Sequence, residues 1–187
     1  MRTRHAAIAV GSPPVNAVIV LETDRLVLRH LTLNDAPFIV ELLNEPSFLR
    51  FIGDRRVRSQ QDARQYILNG PIASYKKNGF GLWLAFLKET GDPIGICGLL
   101  KRDTLQDPDV GFAFLPAYWR QGYAFESASA VLKYGCESLG MKRIVAITSP
   151  DNAASIGALE KMGMKFEGII RLDGDSRDVR LFAMEGS

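Results

Sequence analysis

The pattern of apolar and polar residues changes period several times along the chain, and each change predicts a different kind of element. Residues 22–31 alternate apolar and polar side chains, which predicts a half-buried first strand. Apolar residues at helical spacing in 38–43 predict a helix, and a second helix is predicted from 59 toward 77. Pro71 interrupts this second pattern, because proline cannot donate an intrahelical hydrogen bond.

The second half of the chain begins with closely spaced apolar runs, which predict an antiparallel meander. The predicted strands of this half are 80–87, 93–100, 109–115, 143–148, 166–170 and 177–184, and the predicted helices follow Gly122 and span 152–162. Together with the first half, this order predicts an α+β fold. We expect a mixed, mostly antiparallel sheet of about seven strands with about four helices.

Length and composition are typical of a single globular domain, with 187 residues, 47% of them hydrophobic, and a formal net charge of +2. We expect residues 1–20 to form a flexible extension and residues 21–187 to form one domain. The small net charge does not indicate a nucleic-acid partner, and no apolar run approaches the roughly 20 residues that span a bilayer. We therefore expect neither nucleic acid nor membrane as a partner, and either a monomer or a homodimer.

Cysteine and histidine are scarce, which limits the chemistry that the chain can perform. Cys97 and Cys136 lie at no metal-ligand spacing, and we interpret them as buried free thiols of a cytoplasmic protein. His5 and His30 are the two histidines of the chain. We therefore expect neither a bound metal nor a histidine-dependent catalytic triad.

A strand, a short loop and a helix meet around Gly122. A glycine there lets the backbone approach a ligand closely, and the first turn of the following helix leaves N–H groups unpaired. Such a helix start suits a phosphate. Many junctions of this kind contain a glycine and bind nothing, so the loop alone indicates little.

Four segments together carry a family resemblance: Thr23-Asp-Arg-Leu-Val-Leu-Arg, Asp109-Val-Gly-Phe, Trp119-Arg-Gln-Gly-Tyr-Ala and Asn152-Ala-Ala-Ser-Ile-Gly-Ala-Leu-Glu-Lys-Met-Gly-Met. In this order they resemble the GNAT superfamily of N-acetyltransferases, and most of all its RimJ/RimL-type branch. The resemblance extends over nearly the whole chain, from Leu21 to Met184. It implies a GNAT-like fold and transfer of an acetyl group from acetyl-CoA to a primary amine.

The resemblance also implies how acetyl-CoA binds. The sheet is expected to splay near Leu115 and Thr148, so that Phe114 and Leu115 pair with the pantetheine amides. Backbone N–H groups of the loop are expected to bind the pyrophosphate, with Arg120 adding a complementary charge. The predicted loop residues are Trp119, Arg120, Gln121, Gly122, Tyr123 and Ala124. For Trp119, packing beneath the loop is the favoured alternative to contact with the cofactor.

Three predicted site residues share one helical face, because Asn152, Ser155 and Leu159 lie at i, i+3 and i+7. By resemblance, Asn152 contacts the cofactor near the reacting thioester, although it also suits a helix N-cap. Family members commonly carry at the position of Leu159 a tyrosine that protonates the departing thiolate. Ser155 could donate a hydrogen bond to the sulfur instead, or its hydroxyl could bond the preceding helical turn.

Asp109 matches a position where relatives often carry a glutamate that is proposed as the catalytic base. Aspartate is one methylene shorter, which favours a base that acts through water. The alternative is a solvated turn residue after Asp107-Pro108. With Asn152 and Ser155, Asp109 completes the predicted catalytic set.

The acceptor cannot be identified from these motifs. A basic cluster of Arg55, Arg56 and Arg58 lies where relatives place acceptor-binding loops, and it suits an acidic acceptor, the 3′-phosphate of CoA or simply a solvated turn. Two rival functions remain open. One is a non-catalytic CoA-binding sensor or regulatory module of the same fold, and the other is a nucleotide- or anion-binding protein without preference for CoA.

Overall fold

The computed structural model describes residues 18–172 and 177–186, which form eight strands and six α-helices. The strands are β1 (Ile19–Glu22), β2 (Leu26–His30), β3 (Leu82–Leu87), β4 (Pro93–Leu100), β5 (Asp109–Phe114), β6 (Arg143–Thr148), β7 (Lys165–Arg171) and β8 (Asp178–Glu185). The helices are α1 (Ala36–Asn44), α2 (Pro46–Phe51), α3 (Gln60–Ile67), α4 (Ala73–Asn78), α5 (Tyr123–Glu137) and α6 (Ala153–Lys161). The α+β class predicted from the sequence is confirmed.

All eight strands belong to one sheet, in the order β1-β2-β3-β4-β5-β6-β8-β7. Every neighbouring pair is antiparallel except β5 and β6, which are parallel. Parallel strands require a crossover connection, and α5 provides it. The mixed, mostly antiparallel sheet predicted from the sequence is therefore present.

The sheet separates two apolar layers, and β3 shows how the sequence forms both. Trp83 and Ala85 pack in the layer that contains α5, whereas Leu84 and Phe86 pack in the layer that contains α1 and α3. Successive side chains of a strand point to opposite faces, so a strand buried on both faces is apolar throughout. This accounts for the continuous apolar run of β3.

The number of strands, the number of helices and the start of the first strand differ from the prediction. The sheet has eight strands rather than about seven, because β1, which lies almost wholly before the predicted first strand of residues 22–31, forms a hairpin with β2 that turns at Thr23–Arg25. Strand β1 begins at Ile19, which pairs with Arg29, and the register shifts between Ile19 and Leu21, whereas the predicted domain starts at residue 21. The rest of the predicted extension, residues 1–17, lies outside the described residues.

The helices also exceed the predicted four. Helix α2 was not predicted, since six residues are too few to establish a helical period. The predicted second helix continues past Pro71 through a π turn, Leu68–Ile72, into α4. Over the residues described, no helix combines the length and the apolar composition needed to cross a membrane.

A buried ion pair joins β2 to the start of α1. Arg29 donates from Nη1 and Nη2 to the two carboxylate oxygens of Asp35 at 2.8 and 2.7 Å, and the Arg29 side chain is only 2% exposed. Asp35 also accepts from the backbone N–H of Thr32 at 2.7 Å. One carboxylate therefore fixes the helix start and neutralises a buried guanidinium.

We expect Asp35→Ala to lower the free energy of unfolding by about 3 kcal/mol, because it leaves the Arg29 charge buried and unpaired. Urea unfolding at pH 7 measures this change. The matched control is Asp54→Ala, which breaks the exposed ion pair with Arg58 and should lower the free energy of unfolding much less than Asp35→Ala does. Equal losses in the two variants would contradict the role assigned to the buried pair.

Candidate active site

The site is built around a break in the sheet between β5 and β6. The two strands pair at one register position, Asp109 opposite Val145, where the N–H of Val145 donates to the carbonyl of Pro108 at 2.9 Å. Beyond this point no further residue pair of the two strands is in register. They therefore separate toward Leu115 and Thr148, where the sequence predicts the sheet to splay.

Arg143 holds the closed end of this gap. Its guanidinium pairs with Asp107 at 3.0 Å, with Glu185 at 2.5 Å and with Glu167. These three carboxylates come from the segment before β5, from β8 and from β7. Hydrogen bonds to Glu167, Glu185 and Asp107 raise the pKa of Arg143, so the side chain stays charged. The gap between β5 and β6 therefore widens away from the end that Arg143 holds closed.

The backbone of β5 offers hydrogen-bonding groups to the gap. The N–H of Leu115 donates to the carbonyl of Ile94 on β4 at 3.0 Å. Along a strand these groups alternate between the two edges, so the N–H groups of Phe112 and Phe114 face the gap. Of the predicted pair Phe114 and Leu115, the N–H of Phe114 thus faces the gap, whereas that of Leu115 is bonded to β4. Phe112 was not predicted, because its position depends on register.

The loop after β5 has backbone geometry suited to an anion. Arg120 has a φ of 59°, and Gly122, the N-cap of α5, has a φ of 84°. A left-handed conformation costs a non-glycine residue about 1 to 2 kcal/mol, and such strain often accompanies functional loops. Gly122 leads directly into the first turn of a 15-residue helix, where unpaired N–H groups and the helix dipole favour a phosphate.

Trp119 does not pack beneath this loop, so the interpretation favoured from the sequence is wrong. Its side chain is 43% exposed, and its indole N–H donates to the carbonyl of Phe114 at 2.7 Å. This bond links the loop to the end of β5 and occupies the carbonyl of Phe114 at the edge of the gap. Trp119 therefore shapes the entrance of the gap.

Arg25 braces the loop from the turn between β1 and β2. Its Nη1 donates to the carbonyl of Gln121 at 2.9 Å, and its guanidinium lies over the ring of Tyr123, 4.4 Å from the centroid. Glu126 on α5 accepts from Arg25 Nε at 2.7 Å and from the Thr23 hydroxyl at 2.6 Å. Glu126 thus links α5 to both Thr23 and Arg25 in the turn between β1 and β2.

A cleft of about 730 Å³ runs along β5 and is lined by residues 109–113 of this strand. The three predicted catalytic residues, Asp109, Asn152 and Ser155, all line it, together with Leu159. The predicted loop residues 119–124 are absent from the described lining. Since five strand steps of about 3.3 Å separate Asp109 from Phe114, Asp109 and the end of β5 that leads into the loop lie roughly 17 Å apart. A ligand that contacts both must be extended.

Asp109 is buried, which excludes the alternative of a solvated turn residue. Its side chain is 2% exposed, and its two carboxylate oxygens accept from Arg102 Nε at 3.0 and 3.1 Å. Burial raises the pKa of Asp109, whereas the charge and hydrogen bond of Arg102 act in the opposite direction. A carboxyl with a raised pKa accepts a proton more readily near neutral pH than an exposed aspartate does.

Asn152 and Ser155 form the first turn of α6. The Asn152 side-chain oxygen accepts from the backbone N–H of Ser155 at 3.1 Å, which confirms the N-cap role considered for Asn152. The Ser155 hydroxyl donates to no acceptor within the described residues, so the predicted alternative of a bond to the preceding turn is not formed. It remains available to a ligand in the cleft. In the part of the chain that the structure describes, no three metal-ligating side chains come together.

Comparison with known proteins identifies a family. Residues 25–165 match the model of the acetyltransferase (GNAT) domain. The uncharacterized N-acetyltransferase YoaA of Bacillus subtilis (strain 168) is 34% identical over 154 residues, which cover 81% of this chain and 86% of YoaA.

Solved structures share the fold. An acetyltransferase of the GNAT family from Bacillus anthracis superposes with a TM-score of 0.74 at 24% identity, covering 89% of this chain and 98% of that one. RimL, a ribosomal L7/L12 α-N-protein acetyltransferase solved in complex with coenzyme A, superposes with a TM-score of 0.77 at 19% identity, covering 89% and 97%. At these identities the superpositions support the fold.

We expect Arg25→Ala to raise the dissociation constant for coenzyme A about 5- to 10-fold, because the loop loses the bond to Gln121 and the support under Tyr123. Isothermal titration calorimetry measures this constant. Arg25→Lys should show most of the loss, since an ammonium cannot reproduce the guanidinium fork.

The matched control for Arg25 is Lys133→Ala, which removes an exposed cation from α5 outside the loop. It should leave the affinity within a factor of two. An unchanged affinity in both Arg25 variants would refute the bracing role.

Proposed function

The chain belongs to the GNAT acetyltransferase family, and we propose that it transfers the acetyl group of acetyl-CoA to a primary amine, either a protein N-terminal amine or a small-molecule amine. The observation that carries this proposal is the gap between β5 and β6, which begins beside a buried carboxylate. RimL, by its name, acetylates α-amines of a ribosomal protein, which favours a protein N-terminus as one acceptor.

The residues around the gap suit acetyl-CoA, which supplies the activated acetyl group when bound. The N–H groups of Phe112 and Phe114 are placed to pair with amides of an extended pantetheine arm. The loop before α5 presents backbone N–H groups to a diphosphate, and Arg120 adds charge at the same place. The structure leaves the side chain of Trp119 at the entrance of the gap.

Asp109 serves as the base in this proposal. A lysine-like amine with a pKa near 10.4 costs roughly 4.6 kcal/mol to deprotonate at pH 7, whereas an α-amine with a pKa near 8 costs roughly 1.4 kcal/mol. Asp109 takes this proton directly or through a water that it orients. Because Arg102 already occupies the carboxylate, the water-mediated route demands less rearrangement.

Transfer is a direct displacement in a complex with both substrates. The amine nitrogen forms a bond to the acetyl carbon, the carbon–sulfur bond breaks, and the amine proton goes to Asp109 or its water. The sulfur departs as a thiolate that accepts a hydrogen bond from the Ser155 hydroxyl and takes its proton from solvent, because Leu159 has none to give. Asn152 holds the first turn of α6, and with it Ser155, at the cleft.

Cys97 is not a suitable nucleophile for forming a covalent acetyl-enzyme. The thiol is fully buried, and burial raises its pKa to about 12. A thiol with such a pKa is almost entirely protonated at neutral pH and is therefore a poor nucleophile. Cys97 also lies outside the described lining of the cleft.

Localisation and assembly remain proposals. Cys97 and Cys136 are both free thiols, which supports the proposed cytoplasmic location. We retain the monomer or homodimer and the absence of nucleic-acid and membrane partners as predictions from composition.

The central test is release of free thiol from acetyl-CoA with a panel of amines. The wild-type protein should release CoA in proportion to acetylated amine. Binding of coenzyme A without thiol release on any amine would favour the sensor. Competition by ADP as strong as that by coenzyme A would favour the nucleotide-binding rival.

We expect Asp109→Asn to lower kcat/KM by a factor of about 100 or more, because the base is removed while the side-chain shape is kept. The wild-type rate should fall as the pH drops through the raised pKa of Asp109, because the base is active only when ionised. The variant should lack this acid limb. Rates measured between pH 5 and 9 test this expectation.

Asp103→Asn is the matched control for Asp109→Asn, since it removes an exposed acid of the same cleft and should keep at least half of the activity. A normal acid limb in the Asp109→Asn variant would assign the proton transfer to another group.

Cys97→Ala should retain most of the wild-type kcat, because the transfer needs no thiol. The small cavity left by the substitution should cost about 1 kcal/mol of stability, so assays belong well below the unfolding temperature. Loss of turnover in a folded Cys97→Ala protein would restore the covalent route.

A further inference from the structure

One corner of the cleft carries an arginine, Arg55, that forms no ion pair with an acid of the described chain. This corner, formed by Arg55, Tyr66, Asn69 and Arg102, lies next to Asp109. Arg55 comes from the loop after α2, Tyr66 from α3, Asn69 from the π turn and Arg102 from the loop before β5. π turns recur at functional sites.

Three other arginines of this region are paired with carboxylates, whereas Arg56, which is absent from the described lining of the cleft, forms no ion pair within the described residues. Arg50 pairs with Asp151 at 2.8 Å, Arg58 with Asp54 at 2.6 Å, and Arg102 with Asp109 at 3.0 Å. Within residues 18–172 and 177–186, Arg55 forms no such pair. Over the whole described lining of the cleft, five basic side chains face three acidic ones.

Tyr66 adds a neutral hydrogen-bond donor, its hydroxyl, beside the charge of Arg55. Its ring is largely buried, and desolvation raises its pKa, while the charges of Arg55 and Arg102 act in the opposite direction. The hydroxyl therefore stays protonated at neutral pH. It makes no hydrogen bond to any residue that the structure describes, although it lines the cleft. A hydroxyl and a guanidinium on one wall are a typical pair for binding a carboxylate.

The geometry points to a subsite for a carboxylate on the acceptor: Arg55 and Tyr66 bind it while the acceptor amine faces Asp109. This inference rests on the proposed acetyl transfer and names its substrate class, an amine with a nearby carboxylate. Two sources share this chemistry, a free amino acid and a peptide N-terminus followed by an acidic residue. Polyamines and aminoglycosides, which are polycations, are disfavoured by the same charge.

The experiment compares acceptors that differ in one carboxylate, and each kcat/KM is expressed per unprotonated amine, because a neighbouring carboxylate also raises the pKa of the amine. One arm pairs L-serine with L-serinamide, and the other pairs the peptide amides Ser-Glu-Ala and Ser-Gln-Ala. We expect the carboxylate member of at least one pair to have a kcat/KM about 10- to 50-fold higher, mainly through KM. The arm that shows the preference identifies the source. Equal values within both pairs would overturn the inference while leaving acetyl transfer intact.

Three variants locate the preference. Arg55→Gln should reduce the ratio toward one, and Tyr66→Phe should reduce it several-fold, because each removes one donor to the carboxylate. The matched control is Arg64→Gln, which removes an exposed cation of α3 that is absent from the described lining and should keep the full ratio. A ratio retained in Arg55→Gln would overturn the assignment.

A binding measurement keeps the inference testable when turnover is slow. N-acetylserine and N-acetylserinamide, and the acetylated forms of both peptide amides, are titrated by calorimetry into the protein loaded with coenzyme A. At least one carboxylate form should bind about tenfold more tightly than its neutral partner, and equal affinities in both pairs would refute the subsite. Failure of coenzyme A itself to bind is a separate result, which refutes the proposed function.

Discussion

Strands β5 and β6 are held together at a single register position and then diverge, and this divergence determines where the other functional parts lie. Where β5 and β6 separate, the backbone N–H and C=O groups along their facing edges need other hydrogen-bonding partners. The wide end of the gap meets the start of α5, with its unpaired N–H groups. The narrow end meets Asp109, a carboxylate whose side chain is only 2% exposed. One break in pairing thus separates a polar binding end from a buried reacting end.

Ion pairs keep this opening rigid, since strand pairing cannot. Arg143 joins β6 to three carboxylates at the closed end, and Arg25 joins the first hairpin to the loop and to α5 at the open end. Arg25 is 46% exposed, so its contribution to global stability is small. Its effect is local, because it fixes a short loop whose backbone directions decide what can bind. The buried pair of Arg29 and Asp35 is the one that supports the fold as a whole.

Elements with a clear period could be predicted from the sequence, and the contacts between distant segments could not. Strand β6 was predicted with its observed ends, because an uninterrupted apolar run bounded by polar residues has one interpretation. The loop was found through Gly122. Its brace was missed, since Arg25 lies 96 residues from Gln121 and nothing local relates the two. The alternative of a solvated Asp109 was wrong for the same reason, because Asp109 pairs with Val145 of β6, a segment distant in the sequence.

The burial of Asp109 and the charge of the Arg55 corner favour the same kind of acceptor. Burial raises the pKa of Asp109, but the Arg102 guanidinium bound to its carboxylate acts against this, so Asp109 is a modest base. At pH 7, deprotonating an α-amine costs about 3 kcal/mol less than deprotonating a lysine side chain. An α-amine with a carboxylate within a few bonds satisfies the base and the corner together. A long cationic amine satisfies neither, because it carries the higher pKa and adds positive charge beside Arg55. Proton transfer and charge complementarity, two independent constraints, therefore select the same chemistry.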